Sequence, residues 1–285
     1  MEEVKRVNLA DLPLWSEWPA RLLGLSPFVS LSRTIEKIDQ EYDKDKYARC
    51  LDYCVRVGQE LTPEQVKQFE FGLDPSQEIC VSSSGEILCV SLREARTRYY
   101  QFLRDTMCAQ IEGCKTVVEL GAGYGYNLWM LKKYSNDKSF WGAEYSDNAV
   151  RIAQRLYRDD SQISVVNFNF YDPETYGFLD KITPPIIVFT SHAIEQLPHS
   201  AVVLDNLIRW REKIEAVFHF EPVYELLDET LLGLMRRRYT QINDYNRDLL
   251  SELQKRSWIR IKEQHADGFG LNPLNPTSVI CWEFT

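Results

Sequence analysis

The run Val117-Val118-Glu119-Leu120-Gly121-Ala122-Gly123-Tyr124-Gly125-Tyr126-Asn127 passes from an apolar stretch into closely spaced glycines and then into a helix-forming segment. Glycine is needed where a backbone turns tightly or approaches a ligand with no Cβ in the way, and the start of the next helix offers unpaired N–H groups. Such a turn suits the edge of a cofactor. About 20 residues on, Phe140-Trp141-Gly142-Ala143-Glu144 ends a second apolar run in a carboxylate, which can accept hydrogen bonds from both hydroxyls of a ribose.

A second group of reactive types lies further along. The segments Thr190-Ser191-His192-Ala193-Ile194-Glu195-Gln196-Leu197-Pro198 and Phe218-His219-Phe220-Glu221-Pro222 carry two histidines, and His199 adjoins the first, so three of the chain's four fall here. An imidazole titrates near 6.5 and can take a proton at neutral pH. His192 is therefore the candidate general base, with Glu195 or Glu221 orienting it or positioning a substrate. A residue that only closes over a cofactor is the other reading of His192, and a loop cap the other reading of Glu221. His219, inside an apolar strand, reads as buried structure. A divalent metal on His192, Glu195 and Glu221 is not specified by three scattered ligands, and none is assigned. Tyr99 and Tyr100, with Arg96 and Arg98, read first as helix packing and second as a border of the site.

These residues need a frame. After Lys115 strands alternate with helices, which predicts a parallel sheet covered on both faces. Strands are expected at Thr116 to Leu120, Ser139 to Glu144, Ile163 to Phe168, Ile186 to Thr190 and Ala216 to Phe220, with helices at Asn127 to Tyr134, Asp147 to Tyr157 and Ser200 to Ile214. A long helical stretch, about Tyr224 to Lys255, precedes two last strands, Trp258 to Glu263 and Ser278 to Phe284, joined by the Gly/Asn/Pro-rich loop Gly268 to Pro276. Before Lys115, helices are expected over Ser32 to Val57, Thr62 to Phe71 and Leu92 to Ile111, with a hairpin of Ile79 to Val81 and Glu86 to Val90. The expected fold is α/β: a doubly wound, seven-stranded mixed sheet with an antiparallel last strand, residues 92–285, preceded by a mainly helical N-terminal cap with a small hairpin, residues 1–91.

In this pattern the chain resembles the class I S-adenosylmethionine-dependent methyltransferases, whose first motif, an acid followed by GxGxG, is matched by Glu119, Gly121, Gly123 and Gly125. A dinucleotide site more often shows GxGxxG, which needs glycine where Tyr126 stands. The resemblance covers about Leu92 to Thr285. It implies S-adenosylmethionine as cofactor, with Glu119 orienting the methionine amino group, the Gly121-Ala122-Gly123 and Gly125 backbone packed on the ligand, and Glu144 clasping the ribose. Asn169 stands where the family's third motif usually has an acid for the adenine amino group, and Phe170 would stack on the base. Asn127, Tyr145 and Ser191 complete the expected cofactor contacts. Methyl transfer is an in-line displacement, so such an enzyme aligns acceptor with methyl and, for a hydroxyl acceptor, removes a proton. The expectation is a methyltransferase of a small molecule, O-methylating a sugar or polysaccharide precursor. The alternatives are an N-methyltransferase of an amine or protein and a non-catalytic cofactor-binding partner subunit.

Composition narrows the partners. The 285 residues carry 42 acids against 33 Lys and Arg, net charge −9, which opposes a polyphosphate backbone, so nucleic acid is not an expected partner. The basic run Arg236-Arg237-Arg238 reads as a solvated helix face. Seven cysteines without a CxxC pair read as reduced thiols. The start MEEVKRVNLADLPLW has no basic-then-apolar signal, and no stretch nears ~18 uninterrupted apolar residues, so a cytoplasmic protein without membrane insertion is expected.

Overall fold

In a computed structural model describing residues 4–28, 32–58 and 61–285, the N-terminal region begins with a two-residue strand β1 (Lys5–Arg6) and helices α1 (Trp18–Leu22) and α2 (Ile35–Ile38). A π-helical segment, Asp39–Tyr47, runs on into α3 (Ala48–Val57), and α4 (Pro63–Phe71) follows. The sequence sets both ends of α4. Thr62 and Gln65 form a reciprocal capping box with Pro63 in the first turn, and Gly72, at φ +64°, takes the left-handed C-terminal position. The hairpin β2 (Glu78–Ser83) and β3 (Glu86–Ser91) is joined by β1 into a three-stranded sheet. The predicted helix α5 (Leu92–Ile111) follows, its first turn capped by the Ser91 hydroxyl.

The core then reads β4 (Thr116–Leu120), α6 (Tyr126–Lys132), β5 (Ser139–Glu144), α7 (Asp147–Leu156), β6 (Ile163–Asn167), β7 (Ile186–Ser191), α8 (Ala201–Leu207), β8 (Ile214–Glu221), α9 (Leu231–Ile242), α10 (Leu249–Gln254), β9 (Ile259–Phe269) and β10 (Thr277–Phe284). The seven strands lie in the order β6-β5-β4-β7-β8-β10-β9. Those from β4 to β8 pair in parallel, and β10 runs antiparallel to both neighbours. This is the expected mixed sheet. Successive side chains of a strand face opposite layers, so Val117 packs with Leu103 and Met107 of α5, whereas Val118 and Leu120 pack with Val203 and Leu204 of α8. Strand order reverses beside β4, and the crevice at the carboxyl ends of β4 and β7 is where such sheets take ligands.

Three secondary-structure expectations are corrected. The long helix over Tyr224 to Lys255 is broken: a 3-10 turn, Tyr224–Leu226, precedes α9, and α9 and α10 are separated at Asn243-Asp244-Tyr245-Asn246, with Asp244 at φ +53°. Asn and Asp side chains compete with the helix for backbone hydrogen bonds, and here Asn243 Nδ2 turns back to the Tyr239 carbonyl. Strand β9 continues to Phe269 past the expected end at Glu263, and Gly268 lies in it because an added Cβ would fall 2.3 Å from the Phe102 ring. The helix expected over Ser200 to Ile214 ends at Leu207, and Ile214 already belongs to β8.

The Arg236-Arg237-Arg238 run is not a solvated face. Arg236 is buried, with Nη2 2.9 Å from Asp267 and 2.6 Å from Ser82 Oγ, and its Nε donates to the Pro273 carbonyl. Arg237 donates to the Leu227 carbonyl, and only Arg238 is exposed. Arg236 thus fastens the hairpin to the last strands. Arg236→Ala is expected to cost about 3–5 kcal/mol, because Asp267 stays buried without its counter-charge. Urea denaturation checks this, and an unchanged midpoint would dismiss the triad as a fastening.

The seven cysteines are unbridged. Among the described residues, no helix is long and apolar enough to cross a membrane, and no group of three or more His, Cys, Asp or Glu is placed to hold a metal ion.

Candidate functional site

A cavity of about 410 Å³ opens at the reversal point. Ten of the expected cofactor residues line it: Glu119, Gly121, Ala122, Gly123, Asn127, Glu144, Tyr145, Asn169, Phe170 and Ser191. Gly125 does not. Its φ of +78° makes the turn into α6, and its carbonyl accepts from the Tyr157 hydroxyl at 3.0 Å, so it serves packing of the loop on α7. Gly121 and Gly123 also have positive φ, and an added Cβ would fall 2.3 Å from Ala193 Cβ and 2.6 Å from the Tyr47 hydroxyl respectively.

Two carboxylates form the cavity's inner wall. Glu119 is buried; Oε1 accepts from Asn127 Nδ2 at 2.6 Å, and Oε2 has no hydrogen-bond partner. Burial pushes this group up to about 8. Glu144 accepts from the Gly123 N–H at 2.7 Å and the Ser146 N–H at 2.8 Å; burial raises it and these backbone donors pull it back. The carboxylate therefore shapes the glycine loop and the start of α7 as well as facing the cavity. Asn169 Oδ1 accepts from the Tyr171 N–H at 3.0 Å, a local turn that orients Phe170 and Tyr171 at the rim.

The three histidines part company. His192, at φ +53° just beyond β7, lines the cavity; its Nδ1 lies 3.1 Å from Glu195 Oε2 and its Nε2 2.7 Å from Thr277 Oγ1. Burial pulls the imidazole down, but the Glu195 charge and hydrogen bond together with the Glu221 charge outweigh it, so the ring titrates above its ordinary 6.5. His219 is fully buried, donating from Nδ1 to Thr190 Oγ1 and accepting at Nε2 from the Trp282 indole, and burial pushes it down to about 3. It is a neutral core residue. His199 sits at the surface beside Asp248. Glu221 does not line the cavity. Its carboxylate accepts from the N–H groups of Ala193, Ile194 and Glu195 at 3.0 to 3.2 Å, which makes it the cap of the loop that carries His192, not a group reaching substrate.

In sequence, no protein-family model matches the chain and no curated protein matches it. In structure it is similar to MtNAS in complex with MTA and tNA, at 9% identity over 88% of this chain and 72% of that one, TM-score 0.51. It is also similar to a point mutant of MtNAS, at 11% identity over 98% and 78%, TM-score 0.50. The mitomycin 7-O-methyltransferase MmcR matches at 12% identity over 95% and 76%, TM-score 0.48. The chain has the class I S-adenosylmethionine-dependent methyltransferase fold. At these identities the fold is what is shared, and the likeness to MtNAS reaches into the N-terminal region that the sequence motifs leave uncovered.

That region completes the methyltransferase-fold cavity with residues the motifs do not reveal. Asp43 of the π-helical segment accepts from Ser146 Oγ at 2.5 Å and from the Asn148 N–H at 3.0 Å, fastening the segment to the start of α7. Tyr42, Lys46 and Tyr47 thereby face the glycine loop. Lys46 and Lys67 both pair with Glu70, at 2.7 and 3.0 Å, and the Tyr124 hydroxyl donates to the same carboxylate at 2.8 Å. Burial raises Glu70, yet the two ammonium groups hold it far below the usual carboxylate range. Tyr99 and Tyr100, for which helix packing was the first expectation, both line the cavity, and the Tyr99 hydroxyl meets Ser191 Oγ at 2.7 Å.

Proposed function

We propose that the chain is an S-adenosylmethionine-dependent methyltransferase acting on a hydroxyl of a small molecule, a sugar or polysaccharide precursor being the acceptor that the acidic charge and the His/Glu cluster favour. One observation carries the reading: the unpartnered Oε2 of Glu119, buried at the cavity beside the glycine loop. A buried carboxyl oxygen without a donor is costly, and a cationic amine fits it in charge and hydrogen bonding. Asn127 holds the other oxygen, so the free one keeps its direction. Lys67, whose charge acts on Glu119 across the cavity, is placed to hold the carboxylate of the same amino acid. Glu144 and Tyr145 would hold the ribose, and Phe170 the adenine.

When bound, S-adenosylmethionine supplies a methyl group activated by its sulfonium. The chain's own part is to bind, orient and move one proton. Glu195 accepts from His192 Nδ1–H, which leaves the Nε2 lone pair as the basic position, now turned to the Thr277 hydroxyl. An acceptor hydroxyl taking the place of Thr277 at Nε2 would give up its proton there as the methyl transfers.

The cofactor half is tested by titrating the protein with S-adenosylhomocysteine in buffers of different ionisation enthalpy. Glu119, pushed up to about 8, is largely protonated at pH 7 when the cavity is empty. An ammonium beside it favours the carboxylate, so binding is expected to release up to about one proton, and Glu119→Gln should abolish that release. Absence of binding to the folded protein would overturn the reading. Transfer of labelled methyl from S-adenosylmethionine to a panel of free and nucleotide-linked sugars tests the remainder.

A further inference from the structure

Three side-chain donors converge on the buried carboxylate of Glu195. His192 Nδ1 and Asn275 Nδ2 meet Oε2 at 3.1 and 3.0 Å, and Gln196 Nε2 meets Oε1 at 2.9 Å. An amide donating through its nitrogen to a carboxylate cannot turn over without setting oxygen against oxygen. Glu195 therefore fixes which end of each amide faces it, and the carbonyl ends of Gln196 and Asn275 must point elsewhere. Both residues line the cavity, and both carbonyl oxygens are buried without a hydrogen-bond partner. Among the described residues, these two and Glu119 Oε2 are the buried unpaired side-chain oxygens lining the cavity, and an amide carbonyl oxygen can only accept. Native folds rarely leave such atoms unpaired, so a ligand that donates is the natural complement.

The position of this pair separates it from the cofactor wall. Gln196 follows directly on the Glu195 that holds His192, and Asn275 comes from the loop before β10, two residues from the Thr277 that meets the His192 ring. The amides thus flank the base. The Glu195 charge beside them disfavours an anionic group at this end of the cavity.

We infer that Gln196 and Asn275 form an acceptor subsite for a hydroxyl-rich, uncharged polyol or amino polyol, which donates hydrogen bonds to the two amide oxygens while Glu195 positions them. This rests on the proposed methyltransferase reading, and names the kind of molecule presented to His192.

The test uses the full chain saturated with S-adenosylhomocysteine and ligand-observed NMR titrations of three rings: myo-inositol, with a donor at every position; cyclohexanol, with one; and hexa-O-methyl-myo-inositol, with none. The inositol is expected to bind at least about tenfold more tightly than either of the others. Gln196→Met and Asn275→Leu should each cut that preference about fivefold or more, with the S-adenosylhomocysteine affinity unchanged. Glu195→Gln should also shrink the ratio between inositol and its methyl ether, since the amides lose the carboxylate that orients them; a purely structural role would weaken all three ligands together. Equal binding of the three rings, no binding of inositol to the loaded protein, or an unchanged ratio in the variants would overturn the subsite. Failure of the wild type to bind S-adenosylhomocysteine would show in the same samples before any ring is added, and would overturn the methyltransferase reading instead.

Discussion

With His192 replaced by alanine, turnover on the true acceptor is expected to fall about 10²–10⁴-fold while affinity for S-adenosylhomocysteine stays within about twofold. The ring is held on both sides, by Glu195 at Nδ1 and Thr277 at Nε2, and the first contact sets the tautomer that leaves Nε2 basic. Because Glu195 and Glu221 together outweigh burial and raise the imidazole above 6.5, the wild type should gain activity with rising pH through a value above 6.5. The sign follows from the chemistry: only the neutral ring accepts a proton, and a raised value keeps the ring protonated to higher pH. In Glu195→Gln the larger of the two raising charges is gone, and burial is opposed by Glu221 only, so the same limb should move to lower pH. His192 has φ +53°, a conformation asparagine tolerates better than alanine, so His192→Asn separates loss of the base from strain in the loop. A loss of cofactor affinity parallel to the loss of turnover would make His192 a lid over the cofactor. Undiminished turnover would end its candidacy, and Tyr99, hydrogen-bonded to Ser191 beside it, would be the next group to test.

What sequence alone disclosed about this molecule follows the range of the forces involved. The ends of α5, β4 and β5 match their expected positions because continuous apolar runs, a serine cap and tight turns act over a few residues. The place of Glu119, Gly121, Gly123 and Glu144 at the cavity was legible for the same reason: a strand end, a turn and a carboxylate are local statements. The helix break at Asn243 to Asn246 was written locally too, in residues that compete for backbone donors, but the apolar periodicity on either side hid it. Other features had no local signature. Lys46 reaches the cavity on a segment that Asp43 docks on Ser146 and Asn148, more than 100 residues away in the chain, and it meets there the Glu70 of α4. Thr277 meets the His192 ring from 85 residues away, and Arg236 loses its solvent to Ser82 and Asp267. Glu221 looked like a reactive acid at a strand end, and only the return of the 193–195 backbone onto it shows a cap.

Gly123→Val is expected to raise the dissociation constant for S-adenosylhomocysteine by more than about 100-fold, for two separable reasons. Gly123 sits at φ +54°, where a β-branched residue is strained by at least about 1–2 kcal/mol. Its added Cβ would also fall 2.6 Å from the Tyr47 hydroxyl, closer than real Cβ contacts come. The strain bends a loop held to Glu144 through the Gly123 N–H at 2.7 Å, so the carboxylate proposed to hold the ribose is disturbed with it. The collision acts on the other wall: Tyr47 ends the π-helical segment, and pushing it outward opens the cap over the proposed cofactor half of the cavity. Gly123→Ala in a Tyr47→Phe background separates the two. Removing the hydroxyl takes away the atom in collision and leaves the positive φ, so this double variant should recover part of the affinity that Gly123→Ala loses, while Gly123→Val gains little from the same change. Calorimetry gives the affinities, and a native circular dichroism spectrum must accompany each value. Tight binding by a natively folded Gly123→Val would mean that the loop approaches the cofactor less closely than its glycines demand, and would remove the steric basis for placing the ligand there.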